Sequence, residues 1–125
     1  MGKKKILVID DEEIVRISCK RVLETGGYDV VVASSGPMAL RFIETAPYDL
    51  VITDLMMPEM DGFELLTVIR EKWPYLQVVV MTGYVTDETK LKSVELGATF
   101  FLKKPFLPEQ LLAAASSANN ALSDY

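Results

Sequence analysis

The feature that most constrains the fold is residues 49–62, where a short β-branched apolar run ends abruptly at a carboxylate. Residues 50–53 have the composition of a strand buried on both faces, as in a parallel sheet, and the loop that follows contains Pro58 and Gly62. Asp54 is therefore predicted to end a buried strand. Ligands of open α/β sheets bind beyond such strand ends, so Asp54 is the first candidate for a functional group. The alternative is that Asp54 only caps the turn that follows it.

Four other stretches have the same apolar character, and helical patterns separate them. The predicted strands are residues 6–9, 29–33, 50–53, 77–82 and 99–103. Five helices are predicted from apolar residues spaced three or four apart, with glycine or proline near their ends. Their expected apolar positions are Val15, Cys19, Val22 and Leu23; Ala39, Phe42, Ile43 and Ala46; Phe63, Leu66, Ile69 and Trp73; Leu91 and Val94; and Leu111, Ala115, Ala118 and Leu122.

The fourth helix has the weakest apolar pattern of the five. It is predicted to begin with Asp87 as its N-cap and to run to Leu96 before Gly97. Leu91 and Val94 are almost its only apolar anchors. We therefore expect it to be the least firmly packed helix and a candidate moving part.

Strands that alternate with helices over short connections form βαβ units, whose right-handed crossovers give a parallel sheet covered on both faces. The predicted fold class is therefore α/β, with a five-stranded parallel sheet that is doubly wound by five helices. A length of 125 residues fits one domain, and residues 1–125 are treated as that domain.

Composition narrows the chemistry that the chain can perform. It has no histidine, which removes the commonest general base and the imidazole metal ligand, and its one cysteine, Cys19, cannot form an internal disulfide. The net charge of −5 argues against nucleic-acid binding by this domain. Residues 3–5 are basic but only four apolar residues follow, and no stretch is long enough to span a bilayer. We expect a cytoplasmic protein without membrane contact.

The polar residues that follow the strands are predicted to converge at one edge of the sheet. The first strand supplies Asp10 and Asp11, the third Asp54, the fourth Thr82 and the fifth the lysines before Pro105. Carboxylates brought together repel, so a hard cation such as Mg²⁺ is expected among them. A hydroxyl and an ammonium group would complete a pocket for a phosphoryl group, with an aspartate as its acceptor.

The order of these motifs resembles that of the receiver domain of two-component response regulators, including the chemotaxis regulators, over essentially the whole chain. The matching motifs are Asp10-Asp11, Asp54 within Asp-Leu-Met-Met-Pro-Glu-Met-Asp-Gly, Thr82-Gly83, and Gly97-Ala98 through Phe101-Leu102-Lys103-Lys104-Pro105-Phe106. The resemblance implies a flavodoxin-like fold with strand order 2-1-3-4-5. It also implies a phosphorylation-dependent signalling switch that catalyses only its own phosphorylation and dephosphorylation.

The resemblance assigns metal and acceptor roles to individual residues. Asp54 would be the phosphoacceptor and would take the phosphoryl group from a sensor histidine kinase or a phosphotransfer protein. Asp11, Asp54 and the backbone carbonyl of Met56 would ligate Mg²⁺, and Asp10 would act largely through bound water. Lys104, the lysine directly before Pro105, would pair with the phosphoryl group, and the bond between these two residues is usually cis in the family.

The resemblance also implies how the signal leaves the site. Thr82 would shift toward the phosphoryl group, and Phe101 would be the aromatic switch residue that turns inward with it. Phe101 lacks the hydroxyl of the tyrosine found in many relatives. The output would pass through the face formed by helix 4, strand 5 and helix 5 to a partner protein, an output domain or a second copy of the chain.

Two residues near the expected site bear on the lifetime of the phosphorylated state. Met56 and Tyr84 each lie two positions beyond a site residue, where they would border the path of the attacking water. Our hypothesis is that their bulk slows self-dephosphorylation.

Two other classes of protein share parts of this pattern. A flavin-binding electron-transfer protein has the same topology but needs a phosphate-binding loop after the first strand, where this chain has residues 10–13, all acidic. A phosphohydrolase with an aspartyl nucleophile needs an Asp-x-Asp pair at that place, and the chain has Asp10-Asp11 instead.

Overall fold

The computed structural model of the chain describes residues 2–120, which form five strands and five helices in strict alternation. In chain order the elements are β1 (Lys5–Ile9), α1 (Glu13–Thr25), β2 (Asp29–Ala33), α2 (Gly36–Thr45), β3 (Leu50–Asp54), α3 (Gly62–Lys72), β4 (Gln77–Thr82), α4 (Asp87–Glu95), β5 (Phe100–Lys103) and α5 (Pro108–Asn120). The predicted alternation is confirmed. Leu122, the last apolar position expected in the fifth helix, lies outside the described residues.

The strands form a single parallel sheet in the order β2-β1-β3-β4-β5, as the resemblance implies. Val51 of the central strand pairs with Leu7 on one side and with Val78 on the other. Because all strands run the same way, the residues that end β1, β3, β4 and β5 lie along one edge of the sheet.

Alternate residues of each strand supply two apolar cores, one on each face of the sheet. Ile6 and Val8 of β1 pack into the core that α1 and α5 cover, whereas Leu7 and Ile9 pack into the core under α2 and α3. This explains why the strands have no polar alternation, since both faces are buried. In the part of the chain that is described, no helix combines the length and the apolar character needed to cross a bilayer.

Three strand boundaries differ from the prediction by one residue, and one of them is the end of β3, which includes Asp54. β1 begins at Lys5 rather than at residue 6, because the Lys5 amide bonds the Asp49 side chain at 2.7 Å and Lys5 pairs with Asp29. β5 begins at Phe100 rather than Thr99, whose hydroxyl instead donates to the Gln77 side chain at 2.5 Å.

The prediction that α4 is weakly packed agrees with the structure, but three details of that prediction are wrong, one of which is that the helix ends at Glu95 rather than at Leu96. Thr86, not Asp87, is the N-cap, and it forms a reciprocal capping box with Thr89. Leu91 and Val94 are not anchors, because 60% and 66% of their surfaces are exposed. The helix turns Ser93 toward the sheet instead, and Ser93 is its buried residue.

Candidate functional site

The carboxyl ends of β1, β3 and β5 place three charged side chains in direct contact. The ammonium group of Lys104 donates to Oδ2 of Asp10 at 2.7 Å and to Oδ2 of Asp54 at 3.1 Å. Asp10 is fully buried, 5% of Asp54 is exposed, and 19% of the Lys104 side chain is exposed. The structure therefore brings together three residues that lie 44 and 50 positions apart in the sequence.

Burial and charge act against each other at this cluster. Burial raises the pKa of the Asp54 carboxyl, because water no longer stabilises its charged form, although the Met56 amide and Lys104 partly offset this effect. Burial also acts to lower the pKa of Lys104, but the hydrogen bond and charge of Asp10, together with those of Asp54, outweigh burial and raise it. The lysine is thus held as a cation between two carboxylates.

The second oxygen of Asp54 is bound by the loop that follows β3. Oδ1 accepts a hydrogen bond from the Met56 amide at 3.2 Å. Asp54 therefore does cap the turn that follows, as the simpler interpretation held, but it also carries the contact with Lys104. Met56 is more than half exposed beside this carboxylate, whereas Met57 and Met60 of the same loop are partly buried against the core.

Asp10 is fixed by two contacts that the sequence did not predict. Its Oδ1 accepts from the Glu12 amide at 2.9 Å, and its backbone carbonyl accepts from the Arg16 guanidinium at 2.8 Å. Arg16 lies one turn into α1, so the first helix itself holds the end of β1. A basic residue six positions after a strand-end aspartate is too weak a sequence signal to identify such a contact.

Carboxylate oxygens of Asp10, Asp11 and Glu12 all lie within 4.8 Å of one another. The sequence analysis singled out Asp10 and Asp11 as candidate ligands, but not Glu12. Glu12 does occupy the N-cap position of α1, yet its side chain makes no capping hydrogen bond, so its carboxylate remains available to a cation. Asp54 is outside this trio, and its Oδ2 faces Lys104 instead.

This donor set fits Mg²⁺, which prefers carboxylate oxygens and keeps several waters. Asp11 and Glu12 are exposed, so water can complete the coordination of an ion bound there. Asp10 and Asp54 border the same strand edge, and a cation would offset the mutual repulsion of these groups.

Thr82 ends β4 within the same edge and is fully buried. Its hydroxyl accepts from the Tyr84 amide at 3.0 Å, and its carbonyl accepts from the Lys104 amide at 2.8 Å. The backbone of Thr82 is therefore coupled directly to Lys104. The Lys104–Pro105 bond that follows is cis, as the resemblance implies.

Phe101 lies on β5, paired with Val80, and its partly buried ring packs against the core under α2 and α3. The sequence also gave no sign of an apolar groove of about 550 Å³ between α1 and α5, which Cys19 and Phe106 line and which reaches Lys104.

The fold and the site define a doubly wound α/β protein with a buried aspartate–lysine cluster at the carboxyl edge of its sheet. The sequence matches the response regulator receiver domain over residues 6–116. The chain therefore belongs to the receiver domain family of response regulators, which act as signalling switches in two-component systems. This membership favours the receiver interpretation over the flavoprotein and the phosphohydrolase.

Individual relatives agree with this assignment. The chain is 38% identical over 110 residues to the alkaline phosphatase synthesis transcriptional regulatory protein PhoP of Bacillus subtilis, which covers 88% of this chain and 46% of that protein. It is 38% identical over 109 residues to the response regulator MprA of Mycolicibacterium vanbaalenii, covering 87% of this chain and 47% of MprA. The chain thus spans less than half the length of these curated relatives.

Solved structures of similar length have the same fold. The chemotaxis protein CheY4 of Vibrio cholerae superposes with a TM-score of 0.89 at 33% identity, covering 94% of this chain and 99% of CheY4. A CheY-like receiver domain protein from Methanospirillum hungatei gives a TM-score of 0.93 at 30% identity, with 98% of each chain covered.

Proposed function

We propose that this chain is a single receiver domain that accepts a phosphoryl group on Asp54 from a sensor histidine kinase or a phosphotransfer protein. The observation that carries the proposal is the contact of Lys104 with both Asp54 and Asp10 at the carboxyl edge of the sheet. Asp54 is held on a rigid strand end, and a lysine beside it can offset the negative charge of an incoming phosphoryl group. Residues 1–125 contain no histidine, so a donor histidine would lie outside this domain.

The proposed metal is Mg²⁺, bound through Asp11, Asp54 and the carbonyl of Met56, with Asp10 acting through water. When bound, the ion would supply positive charge for the phosphoryl oxygens. Glu12 lies close enough to Asp10 and Asp11 to contribute a further carboxylate or to orient a bound water. Asp10 has a separate task, because its direct contact keeps Lys104 beside the acceptor carboxylate.

The proposed switch begins when Lys104 exchanges Asp54 for the new phosphoryl oxygens and Thr82 forms a hydrogen bond with them. In the unmodified protein the Thr82 hydroxyl accepts a hydrogen bond from the Tyr84 amide. Thr82 would lose this hydrogen bond when it shifts toward the phosphoryl group. This change would move the loop that leads into α4, and Phe101 would repack. The output would then be read from the face formed by α4, β5 and α5.

The proposed readers of that face are a downstream protein, an output domain or a second copy of the chain. The name of one relative, PhoP, describes a transcriptional regulatory protein, which is consistent with an output that controls transcription. Direct nucleic-acid binding by this domain is not part of the proposal, because its net charge is −5. We place the protein in the cytoplasm and assign it no enzymatic activity on external substrates.

The test is intact-mass measurement after incubation with acetyl phosphate and Mg²⁺, which needs no partner kinase. We expect a gain of one phosphoryl group in the wild type and none in Asp54→Asn or in the presence of EDTA. Asp49→Asn is a matched control that removes an exposed carboxylate at the opposite end of the same strand. Phosphorylation that persists in Asp54→Asn would refute the assignment of the acceptor, and phosphorylation unaffected by EDTA would refute the metal requirement.

A further inference from the structure

Little apolar packing holds α4 in place. Leu91 and Val94 point toward solvent, and the buried residue of the helix is Ser93. The Ser93 hydroxyl is used within the helix, where it donates to the Thr89 carbonyl at 2.8 Å. The packing forces that fix the other helices are therefore weak here.

The carboxyl end of α4 is bound by the guanidinium of Arg70. Nη2 donates to the Gly97 carbonyl at 2.8 Å, while Nη1 donates to the Pro74 carbonyl at 2.8 Å and to the Leu76 carbonyl at 3.0 Å. Gly97 has φ +91°, and a Cβ there would lie 2.7 Å from Nε of Arg70. One planar side chain thus joins the end of α4 to the connection between α3 and β4.

The amino end of α4 has a different kind of attachment. The capping contacts of Thr86 and Thr89 are with each other, and the Thr89 hydroxyl also donates to the Tyr84 carbonyl at 3.1 Å. These hydrogen bonds lie within residues 84–89, so this end can move as a unit. It connects to Thr82 through Gly83, where an added Cβ would have no described heavy atom within 4 Å.

In the last turn of α4, Lys92 makes a second contact with α3. Its ammonium nitrogen lies 4.5 Å from the centroid of the Phe63 ring, in the first turn of α3. Lys92 is exposed and Phe63 is half-buried. An exposed cation–π contact of this kind biases an equilibrium by about 2- to 5-fold. That is enough to hold a helix in one position and weak enough to release it.

We propose that Arg70 fixes the carboxyl end of α4 as a pivot and that the Lys92–Phe63 contact restrains the rest of the helix. When the Lys92–Phe63 contact is released, the helix leaves α3 while Gly97 stays held, and the strength of the contact sets the population of this released position. A helix of nine residues that loses this support opens more readily, because short helices are only marginally stable alone. The link from this movement to phosphorylation rests on the proposed function of Asp54. The restraint itself is a property of the unphosphorylated protein.

Amide hydrogen exchange of the unphosphorylated protein tests the restraint. Lys92→Gln is compared with Lys90→Gln, which removes the same charge from an exposed position of the same helix. We expect amides of α4 to exchange about 2- to 5-fold faster in Lys92→Gln than in Lys90→Gln. Phe63→Leu should raise the exchange rate of the α4 amides by a similar factor. The double variant Phe63→Leu, Lys92→Gln should exchange no faster than either single variant, because both changes remove the same contact. Equal exchange in the two lysine variants would overturn the proposed restraint.

The pivot is tested with Arg70→Lys, which keeps the charge but loses the fork of donors, against Arg41→Lys on the exposed surface of α2. The Gly97 and Ala98 amides donate hydrogen bonds to the carbonyls of Val94 and Ser93, respectively. These two amides should exchange faster in Arg70→Lys than in the wild type, and at the wild-type rate in Arg41→Lys. Unchanged exchange of the Gly97 and Ala98 amides in Arg70→Lys would overturn the pivot. Faster exchange of these same two amides in Lys92→Gln would overturn it as well, because they are expected to depend on Arg70 and not on Lys92.

The link to phosphorylation is tested by the rate of mass gain with acetyl phosphate. We expect Lys92→Gln to be phosphorylated about 2- to 5-fold faster than Lys90→Gln, because less of the population is held in the unswitched position. Equal rates alongside altered exchange would refute the link but leave the restraint in place. A protein that shows altered exchange and no phosphorylation at all would refute the proposed function alone.

Discussion

Replacing Gly62 with alanine should destabilise the protein by pressing on the backbone that carries the phosphoacceptor candidate. Gly62 is the buried first residue of α3, and its amide donates to the Leu55 carbonyl at 2.9 Å. A Cβ on Gly62 would press on the carbonyl oxygen of Asp54 and lie 2.7 Å from the Cα of Leu55. These atoms belong to the chain itself, so no side-chain rotation can relieve the contact.

The expected loss of stability can be estimated because the added Cβ presses on backbone atoms, which cannot move aside as a side chain can. Overpacking costs about 1–3 kcal/mol, and a clash with backbone belongs in the upper part of that range. The gain in helix propensity from glycine to alanine offsets at most about 1 kcal/mol, and less at the first position of a helix. We therefore expect a net loss of roughly 2 kcal/mol in the free energy of unfolding. For a chain of this size that corresponds to a melting temperature roughly 6–10 °C lower.

Urea unfolding followed by circular dichroism measures this loss, with two other glycines as controls. A Cβ on Gly83 would meet no described heavy atom within 4 Å, so Gly83→Ala should change stability by less than about 0.5 kcal/mol. A Cβ on Gly36 would lie 2.8 Å from the sulfur of Met60, whose flexible side chain can move aside. Gly36→Ala should therefore lie between the other two. A Gly62→Ala protein as stable as Gly83→Ala would refute the argument from backbone contact.

Two further predictions concern single side chains near the site. Burial raises the pKa of the Cys19 thiol to about 11 from 9.0, so at pH 8 its thiolate fraction is about 100-fold below that of an unfolded chain. Iodoacetamide should alkylate the folded protein at least about 100-fold more slowly than the urea-unfolded protein, and similar rates would contradict the burial argument. The double variant Met56→Asn, Tyr84→Ala should shorten the lifetime of the phosphorylated protein about tenfold, which is about 1.4 kcal/mol in the barrier. Tyr75→Ala, at an exposed tyrosine, is its control, and decay no slower in the wild type than in the double variant would refute the hypothesis that bulk shields the site.

The parts of the fold that the sequence predicts well are those built from local patterns. The β2 strand, Asp29–Ala33, has the predicted bounds, because its apolar run and the glycine pair that precedes it are local signals. The predicted boundary of an element is wrong where a contact with a residue distant in the sequence determines it. The Asp49 side chain extends β1 to Lys5 from 44 positions away, and no local pattern contains that information.

Some contacts of the candidate site can likewise be predicted from the sequence, and others cannot. The convergence of Asp10, Asp54 and Lys104 follows from parallel strands whose ends share one edge, and the structure brings these three into contact. The contact of Arg16 with the Asp10 carbonyl depends on how α1 leaves the strand, so it becomes visible only with coordinates. Glu12 cannot be identified as a candidate ligand from the sequence, because an acidic residue at a helix start is common for reasons unrelated to metals.

The least predictable element is α4, and its chemistry explains why. Apolar periodicity predicts which face of a helix is buried only when apolar packing holds that helix, and here Leu91 and Val94 are exposed. Arg70 and Lys92 hold α4 through hydrogen bonds and a ring contact, which are made and broken without opening a cavity in the core. A helix packed by leucines would lose that packing on every displacement, whereas one held by long cationic side chains can move at small cost. The same property that makes α4 hard to predict from the sequence therefore suits it to move.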